Sequence, residues 1–340
     1  MQARTLGRSG LKVSCFCFGT MSFGGDADEA MAAKLFARCR DAGIDTFDCA
    51  DVYEGGRSEE ILGRLVRGCR DEIVLATKAY FPTGTDARAR GSSRYHLVRA
   101  VEASLRRLGT DRIDLFFLHR FDEATPLEES LRALDDLVRQ GKILYLGASN
   151  FAAWQVMKAL GISARAGLSP LVCIQPMYNL VKRQAEVELL PLARSEGLGV
   201  LSYSPLGGGL LAGKYGEELR PSAGRLVENA MYGTRYGEEG YYRSAQRLIE
   251  VARELGVSPA ALALAWVAAH PDITAPLLGA RDVAQLDEQL RALEIPMDEA
   301  LRERLSQCSP EPPPATDRNE ERSAHDYVAR LAARRREGER

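Results

Sequence analysis

One closed barrel of eight parallel strands wrapped in helices, an α/β chain of the (β/α)8 or TIM type, is the architecture expected, and three features of the sequence lead to it. Eight short apolar runs recur along the 340 residues, and the segments between them space their apolar residues near the helical period of 3.6. The runs are nearly continuous in apolar residues, as strands of a parallel sheet covered on its faces must be. The alternation also continues without a break that would mark a second domain, which suits a closed barrel better than an open doubly wound sheet.

Taken in order, "RTLGRSGLKVS" comes first, with a turn at Arg8-Ser9-Gly10 between apolar residues; it reads as a small hairpin plugging the bottom of the barrel. The strand-like runs then fall at 13–20, 44–50, 72–78, 113–119, 143–150, 171–179, 199–206 and 273–280. Helical segments such as "HLVRAVEASLRRLG" and "PLEESLRALDDLVRQG" close on glycine, at Gly43, Gly109, Gly141 and Gly197, where a helix needs a left-handed residue to stop. In "FDCADVYEGGRSEE" (47–60), Ser58 reads as a helix N-cap with Glu59 and Glu60 in the first turn. Two stretches depart from the repeat: a Gly- and Tyr-rich insert after the seventh run, about 207–240, and a tail from Ser309. The barrel domain is therefore set at 1–308, with an exposed, partly helical tail at 309–340.

Composition narrows the function classes. Hydrophobic residues at 45% with 27% charged residues are an ordinary globular balance, and a net charge of −2 gives no electrostatic reason to expect nucleic acid or a membrane surface as partner. Seven cysteines, an odd number without CxxC spacing, read as reduced, buried thiols, and no metal site is expected. No apolar run approaches the ~20 residues that cross a bilayer, and the N-terminus lacks the apolar core of a signal peptide. A cytoplasmic location is expected.

Barrel enzymes build their sites at the C-terminal ends of strands. The last residues of the runs are Asp48, Lys78, His119, Ser149 with Asn150, Gln175, Tyr203 with Ser204, and Gly279 with Arg281, and all should converge on one mouth. Tyr53 follows Asp48 by five residues. A tyrosine with a pKa of ~10 needs a nearby cation to exchange protons near neutrality. Lys78 supplies one, Asp48 keeps that ammonium charged, and His119 is placed to hydrogen-bond an oxygen on which negative charge develops. Such a set donates a proton to a carbonyl oxygen. It contains no nucleophile, so hydride from a nicotinamide is the natural attacking species, with Ser149, Asn150 and Gln175 suited to a carboxamide and Tyr203 to stacking under a ring.

The stretch 208–214 matches GxxxxGK, but Tyr215 stands where a P-loop needs Ser or Thr, and the segment follows the seventh run instead of opening a nucleotide-binding domain. Its amides can nonetheless cradle a pyrophosphate. No GxGxxG follows a strand, which argues against a Rossmann site.

With "FDCADVYEGGRSEE", "LATK", "FFLH", "LGASNF", "QPMYNL", "YSPLGGGLLAGKY" and "GARDVAQLDEQL" in this order, the chain resembles the aldo-keto reductases to about residue 300. It looks most like the bacterial branch related to aryl-alcohol dehydrogenases and potassium-channel β-subunits. The resemblance implies a catalytic tetrad of Asp48, Tyr53, Lys78 and His119, with Tyr53 the general acid in NADP(H)-dependent reduction of aldehydes or ketones. It implies a cofactor set of Gly19, Thr20, Met21, Asp48, Ser149, Asn150, Gln175 and Tyr203, then Ser204, Pro205, Leu206, Gly208, Leu210 and Lys214 along the pyrophosphate. Gly279, Arg281, Gln285, Glu288 and Gln289 would hold the adenosine end, with Arg281 matched to a 2′-phosphate. Three positions depart from the family pattern: Cys49 in Asp48-Cys49-Ala50, Gln289 after Glu288, and the tail. A pocket for an apolar or aromatic carbonyl compound is expected from Met21, Phe23, Tyr53, Tyr80, Phe81, His119, Phe121 and Trp154. The insert should fold over the cofactor, with Tyr232, Tyr236, Tyr241 and Tyr242 free for substrate or for neighbouring subunits of a homo-oligomer. The alternative is a nicotinamide-binding, redox-sensing module that acts through a protein partner, as the channel β-subunits do.

Overall fold

The computed structural model of the chain describes residues 1–323. Strands β1 (Ala3–Thr5) and β2 (Lys12–Ser14) pair antiparallel as a hairpin. Eight parallel strands then close a barrel: β3 (Cys17–Gly19), β4 (Thr46–Asp48), β5 (Val74–Ala79), β6 (Ile113–Leu118), β7 (Ile143–Ser149), β8 (Leu171–Gln175), β9 (Gly199–Ser202) and β10 (Ala275–Leu278). They neighbour one another in chain order, and β10 seals the ring between β9 and β3.

Helices α1 (Glu29–Asp41), α2 (Arg57–Val66), α3 (Arg94–Leu108), α4 (Leu127–Arg139), α5 (Ala153–Ala166) and α6 (Leu189–Glu196) alternate with the strands from β3 to β9. After β9 come α7 (Arg225–Glu228), α8 (Ala230–Tyr236), α9 (Glu239–Leu255) and α10 (Pro259–Ala268), and after β10 come α11 (Val283–Leu290) and α12 (Glu299–Ser306). The four expected glycine stops are all left-handed, at φ 83° for Gly43, 62° for Gly109, 73° for Gly141 and 66° for Gly197.

The period of two along each strand sorts side chains into two cores. Phe47, Leu75, Phe116 and Val200 point outward and pack under the helices. Cys17, Ala76, Leu115, Phe117, Cys173, Leu201, Ala275 and Leu277 point inward, and Leu6 and Val13 of the hairpin join them as the plug.

Two elements differ from expectation. The run 13–20 is two strands: residues 12–14 belong to the hairpin and only 17–19 to the barrel, because the chain turns from one sheet into the other between them. Ser58 does not cap a helix. The start of α2 is set by Gly56 at φ 95°, and Ser58 lies inside the first turn, fully buried, donating to the Thr20 carbonyl at 2.7 Å. The tail expectation falls partly on residues 324–340, outside the described residues.

Helices α2 and α3 touch at Gly63, where an added Cβ would stand 2.5 Å from the Leu108 carbonyl oxygen and 2.7 Å from its Cα. A backbone cannot yield as a flexible side chain does. Gly63→Ala is therefore expected to destabilise the fold by roughly 1–3 kcal/mol, the usual range for overpacking. Urea unfolding followed by circular dichroism measures this, and an unchanged midpoint would contradict the close approach.

Candidate active site

The two-residue period also carries the interior rows out to the barrel mouth. Thr46 leads to Asp48, Ala76 to Lys78, Phe117 to His119, Gly147 to Ser149, Cys173 to Gln175, Leu201 to Tyr203 and Leu277 to Gly279. Because all eight strands run the same way, these side chains gather at one end. They open into a cavity of about 890 Å³, with Met21, Tyr53, Phe81 and His119 at one part and Gly279, Arg281, Gln285 and Gln289 at another.

At its floor Lys78 and Asp48 are both buried, with 0% and 1% of their surfaces exposed, so each needs a partner of opposite charge. Lys78 Nζ pairs with Asp48 Oδ2, donates to the Cys49 carbonyl at 2.7 Å and lies 3.4 Å from the Tyr53 hydroxyl. Gln175 Nε2 donates to the other Asp48 oxygen at 2.8 Å. Burial alone would lower the pKa of Lys78, but the charge of Asp48, with Tyr53 and the Asp48 hydrogen bond, outweighs it and holds the ammonium above the ordinary lysine value.

Tyr53 returns over Lys78 because the chain after β4 turns back: Asp51 N donates to the Lys78 carbonyl at 3.0 Å and Tyr53 N to the Ala50 carbonyl at 3.1 Å. Lys78 was expected to lower the Tyr53 pKa. Burial instead pushes the phenol up to about 12, and the attraction of Lys78 offsets only part of that. The His119 ring stands edge-on to Tyr53 with centroids 6.0 Å apart, and its buried Nδ1 has no hydrogen-bond partner among the described residues. Burial, and then the charge of Lys78, hold its pKa well below 6.5, so the ring is neutral at physiological pH.

Polar groups on neighbouring strand ends brace one another. Asn150, left-handed at φ 57°, donates through Nδ2 to the His119 carbonyl at 2.9 Å and accepts from the Tyr203 hydroxyl at 2.7 Å. Ser149 Oγ donates to the Gln175 carbonyl at 3.0 Å. At the far end Gln289 Nε2 donates to the carbonyls of Gly279, at 2.9 Å, and Gln285, at 3.1 Å. Glu288 accepts from Ser258 Oγ at 2.6 Å.

The insert forms one side of the cavity. Gly208, at φ 66°, lets the backbone pass the Tyr232 ring, where a Cβ would come within 2.6 Å of a ring carbon. Arg225 on α7 pairs with Asp26 of the β3–α1 loop at 3.1 Å.

Most residues singled out in the sequence line this cavity, and some do not. Thr20 lies beneath it, its N–H donating to the Asp48 carbonyl at 2.9 Å. Leu210 is fully buried in the outer core behind the glycine loop, and Phe23 is fully buried against Phe18 with ring centroids 5.8 Å apart. Tyr80 packs edge-on against Phe81 at 5.3 Å, while Phe121 packs edge-on against Phe151 and Trp154, and Tyr80, Phe121 and the 60% exposed Trp154 are not in the lining. The insert tyrosines are engaged within the chain: Tyr236 is buried, Tyr241 accepts from Lys182 Nζ at 2.8 Å, and Arg220 covers the Tyr242 ring at 3.4 Å. Sequence reasoning missed Arg120, Arg225, Met231 and Arg235 in the lining. Arg120, directly after His119, was the one with a positional signal.

Ionisable side chains gathered at the C-terminal mouth of a parallel barrel, beside a trough bounded by a glycine loop, are the layout of a (β/α)8 enzyme. Residues 16–310 match the Aldo/keto reductase family. The "Uncharacterized oxidoreductase YrpG" of Bacillus subtilis is 40% identical over 328 residues, covering 92% of this chain and 97% of that protein. A "Probable voltage-gated potassium channel subunit beta" of Arabidopsis thaliana is 38% identical over 302 residues, covering 87% and 92%, and one from Oryza sativa subsp. japonica matches equally. The chain belongs to the aldo/keto reductase family, which makes it an oxidoreductase.

Asp51 stands apart from these pairings. It is 2% exposed, and among the described residues neither of its buried carboxylate oxygens has a side-chain or backbone partner at hydrogen-bond geometry. Burial, reinforced by Glu59, raises its pKa from 3.8 to about 8 against the opposing pull of Arg107 and Lys78. The folded state then holds this proton more tightly than the unfolded chain, so between about pH 4 and pH 8 its titration removes stability as pH rises. Asp51→Asn, which stays neutral, should raise the melting temperature more at pH 9 than at pH 5. Scanning calorimetry at both values checks this, and an equal shift at both would mean that Asp51 is ionised throughout.

Proposed function

We propose that the chain is an NADP(H)-dependent carbonyl reductase that converts aldehydes or ketones to alcohols with Tyr53 as general acid. The observation that carries this reading is the position of Lys78 Nζ, buried between the Asp48 carboxylate and the Tyr53 hydroxyl. When bound, NADPH supplies the hydride.

The residues fit such a cofactor. Gly208 keeps the loop free of a side chain where any Cβ would strike Tyr232, so backbone bounds the trough where a pyrophosphate would lie. Lys214 and Arg281 line the same trough, and among the described residues neither forms an ion pair. A planar guanidinium at Arg281 suits a 2′-phosphate.

The chain's own part is proton handling. With a pKa of about 12, Tyr53 stays protonated at neutral pH, a donor loaded before the reaction begins. An alkoxide is far more basic than a phenolate, so the proton passes from Tyr53 once charge develops on the carbonyl oxygen. Lys78, kept charged by Asp48, stabilises the phenolate left behind. Neutral His119 contributes a hydrogen bond to the same oxygen without adding a charge that would compete with Lys78.

A second reading, a nicotinamide-binding regulatory subunit, is favoured by the names of the plant relatives. Cofactor binding without turnover of any aldehyde, quinone, ketosteroid or keto-sugar would support it.

Tyr53→Phe is expected to lower kcat for NADPH-dependent reduction by about 10²–10⁴, the range for loss of a general acid, with the NADPH dissociation constant nearly unchanged. Absorbance at the nicotinamide band and fluorescence titration measure the two, and wild-type turnover would remove Tyr53 from the reading. For Arg281→Ala, NADPH binding should weaken by about ten- to hundredfold, as expected for a hydrogen bond to a charged group, and NADH binding should change little. An equal loss for both would remove the 2′-phosphate role.

A further inference from the structure

We infer that the carbonyl substrate carries a carboxylate and that Arg120 binds it, an inference that rests on the reductase reading above. The cavity is lined by five cationic side chains, Arg120, Lys214, Arg225, Arg235 and Arg281, against the carboxylates of Asp48 and Glu288. Asp48 is taken by Lys78 and Glu288 by Ser258, and Arg225 is paired with Asp26. Among the described residues Arg120, Lys214, Arg235 and Arg281 form no ion pair.

Position separates Arg120 from the rest. Lys214 and Arg281 follow β9 and β10, where the glycine loop and the start of α11 suit cofactor phosphates. In the closed order β6 stands four strands from β10, directly across the ring. Arg120 lies just past the end of β6 and is the residue after His119. A carbonyl held between Tyr53 and His119 therefore has Arg120 beside it on the side away from the phosphates. Arg235 on α8 lies toward the insert, with its guanidinium 5.4 Å from the Tyr232 ring centroid and its charge acting on the Tyr203 phenol.

The surroundings fix the chemical class. Phe81 lines the cavity edge-on to His119 at 4.9 Å, and Met21 lines it as well. An exposed guanidinium lining the same cavity as Phe81 matches a carboxylate on an apolar body, because the planar fork takes both oxygens at once. It also draws anions toward the mouth before contact is made.

The test compares 4-carboxybenzaldehyde with methyl 4-formylbenzoate, which differ in that charge, as NADPH-dependent substrates of wild type, Arg120→Gln and Arg235→Gln. The wild-type chain should favour the acid. Arg120→Gln should lower the acid-to-ester ratio of kcat/KM by about ten- to hundredfold, mainly through KM for the acid, as loss of a charged hydrogen bond does. A ratio unchanged in Arg120→Gln, or lowered only in Arg235→Gln, would overturn the assignment. Isothermal titration with 4-(hydroxymethyl)benzoate and its methyl ester reads the site without turnover. Tighter binding of the acid, lost in Arg120→Gln, supports the carboxylate site even where neither aldehyde is reduced, and that failure of reduction counts against the reductase reading alone. Equal binding of acid and ester overturns the carboxylate site.

Discussion

A lysine with no exposed surface is the constraint on which the interior depends. An ammonium removed from water remains charged only against a counter-charge, and Asp48 is held there by the register of the adjacent strand. Gln175 reaches from β8 to the remaining Asp48 oxygen, so the pair is tied to strands on both sides of the ring. Removing one member of such a buried pair typically costs ~3–5 kcal/mol, because the other is left uncompensated. The barrel and the proposed proton chemistry thus share a single interaction.

Much of the fold was legible because parallel strands with helices on their outer faces write themselves as apolar runs. The mouth residues were legible for a related reason: a period of two, followed inward from Ala76 or Cys173, ends on Lys78 or Gln175. What the sequence did not disclose was sheet membership and depth. Nothing in "VSCFCFGT" marks where the chain passes from hairpin to barrel. Ser58 looks like a cap by type, yet packing turns it inward to Thr20 and Cys49. Phe23, Leu210 and Thr20 lie near lining residues in sequence, but their side chains serve the core or the backbone beneath. The arginines of the insert were missed because a segment outside the repeat has no periodicity from which to read its facing.

The balance of terms at Tyr53 could not be read from residue types. A neighbouring lysine argues for a lowered pKa and burial argues for a raised one, and only the depth of the site decides between them. Burial wins, so the phenol stays protonated at neutral pH. At His119 the two effects act in the same direction, which is why its neutrality is the simpler feature.

The insert is attached unevenly. Leu226, Tyr232 and Tyr236 anchor it through apolar burial, while the Arg225–Asp26 pair leaves its members 34% and 49% exposed. Exposed pairs contribute at most about 1 kcal/mol and are screened by salt, whereas ring burial is not. Ionic strength therefore acts on the Arg225–Asp26 corner of the insert and leaves its apolar anchors alone, so two attachments of one segment answer to different properties of the surrounding solution.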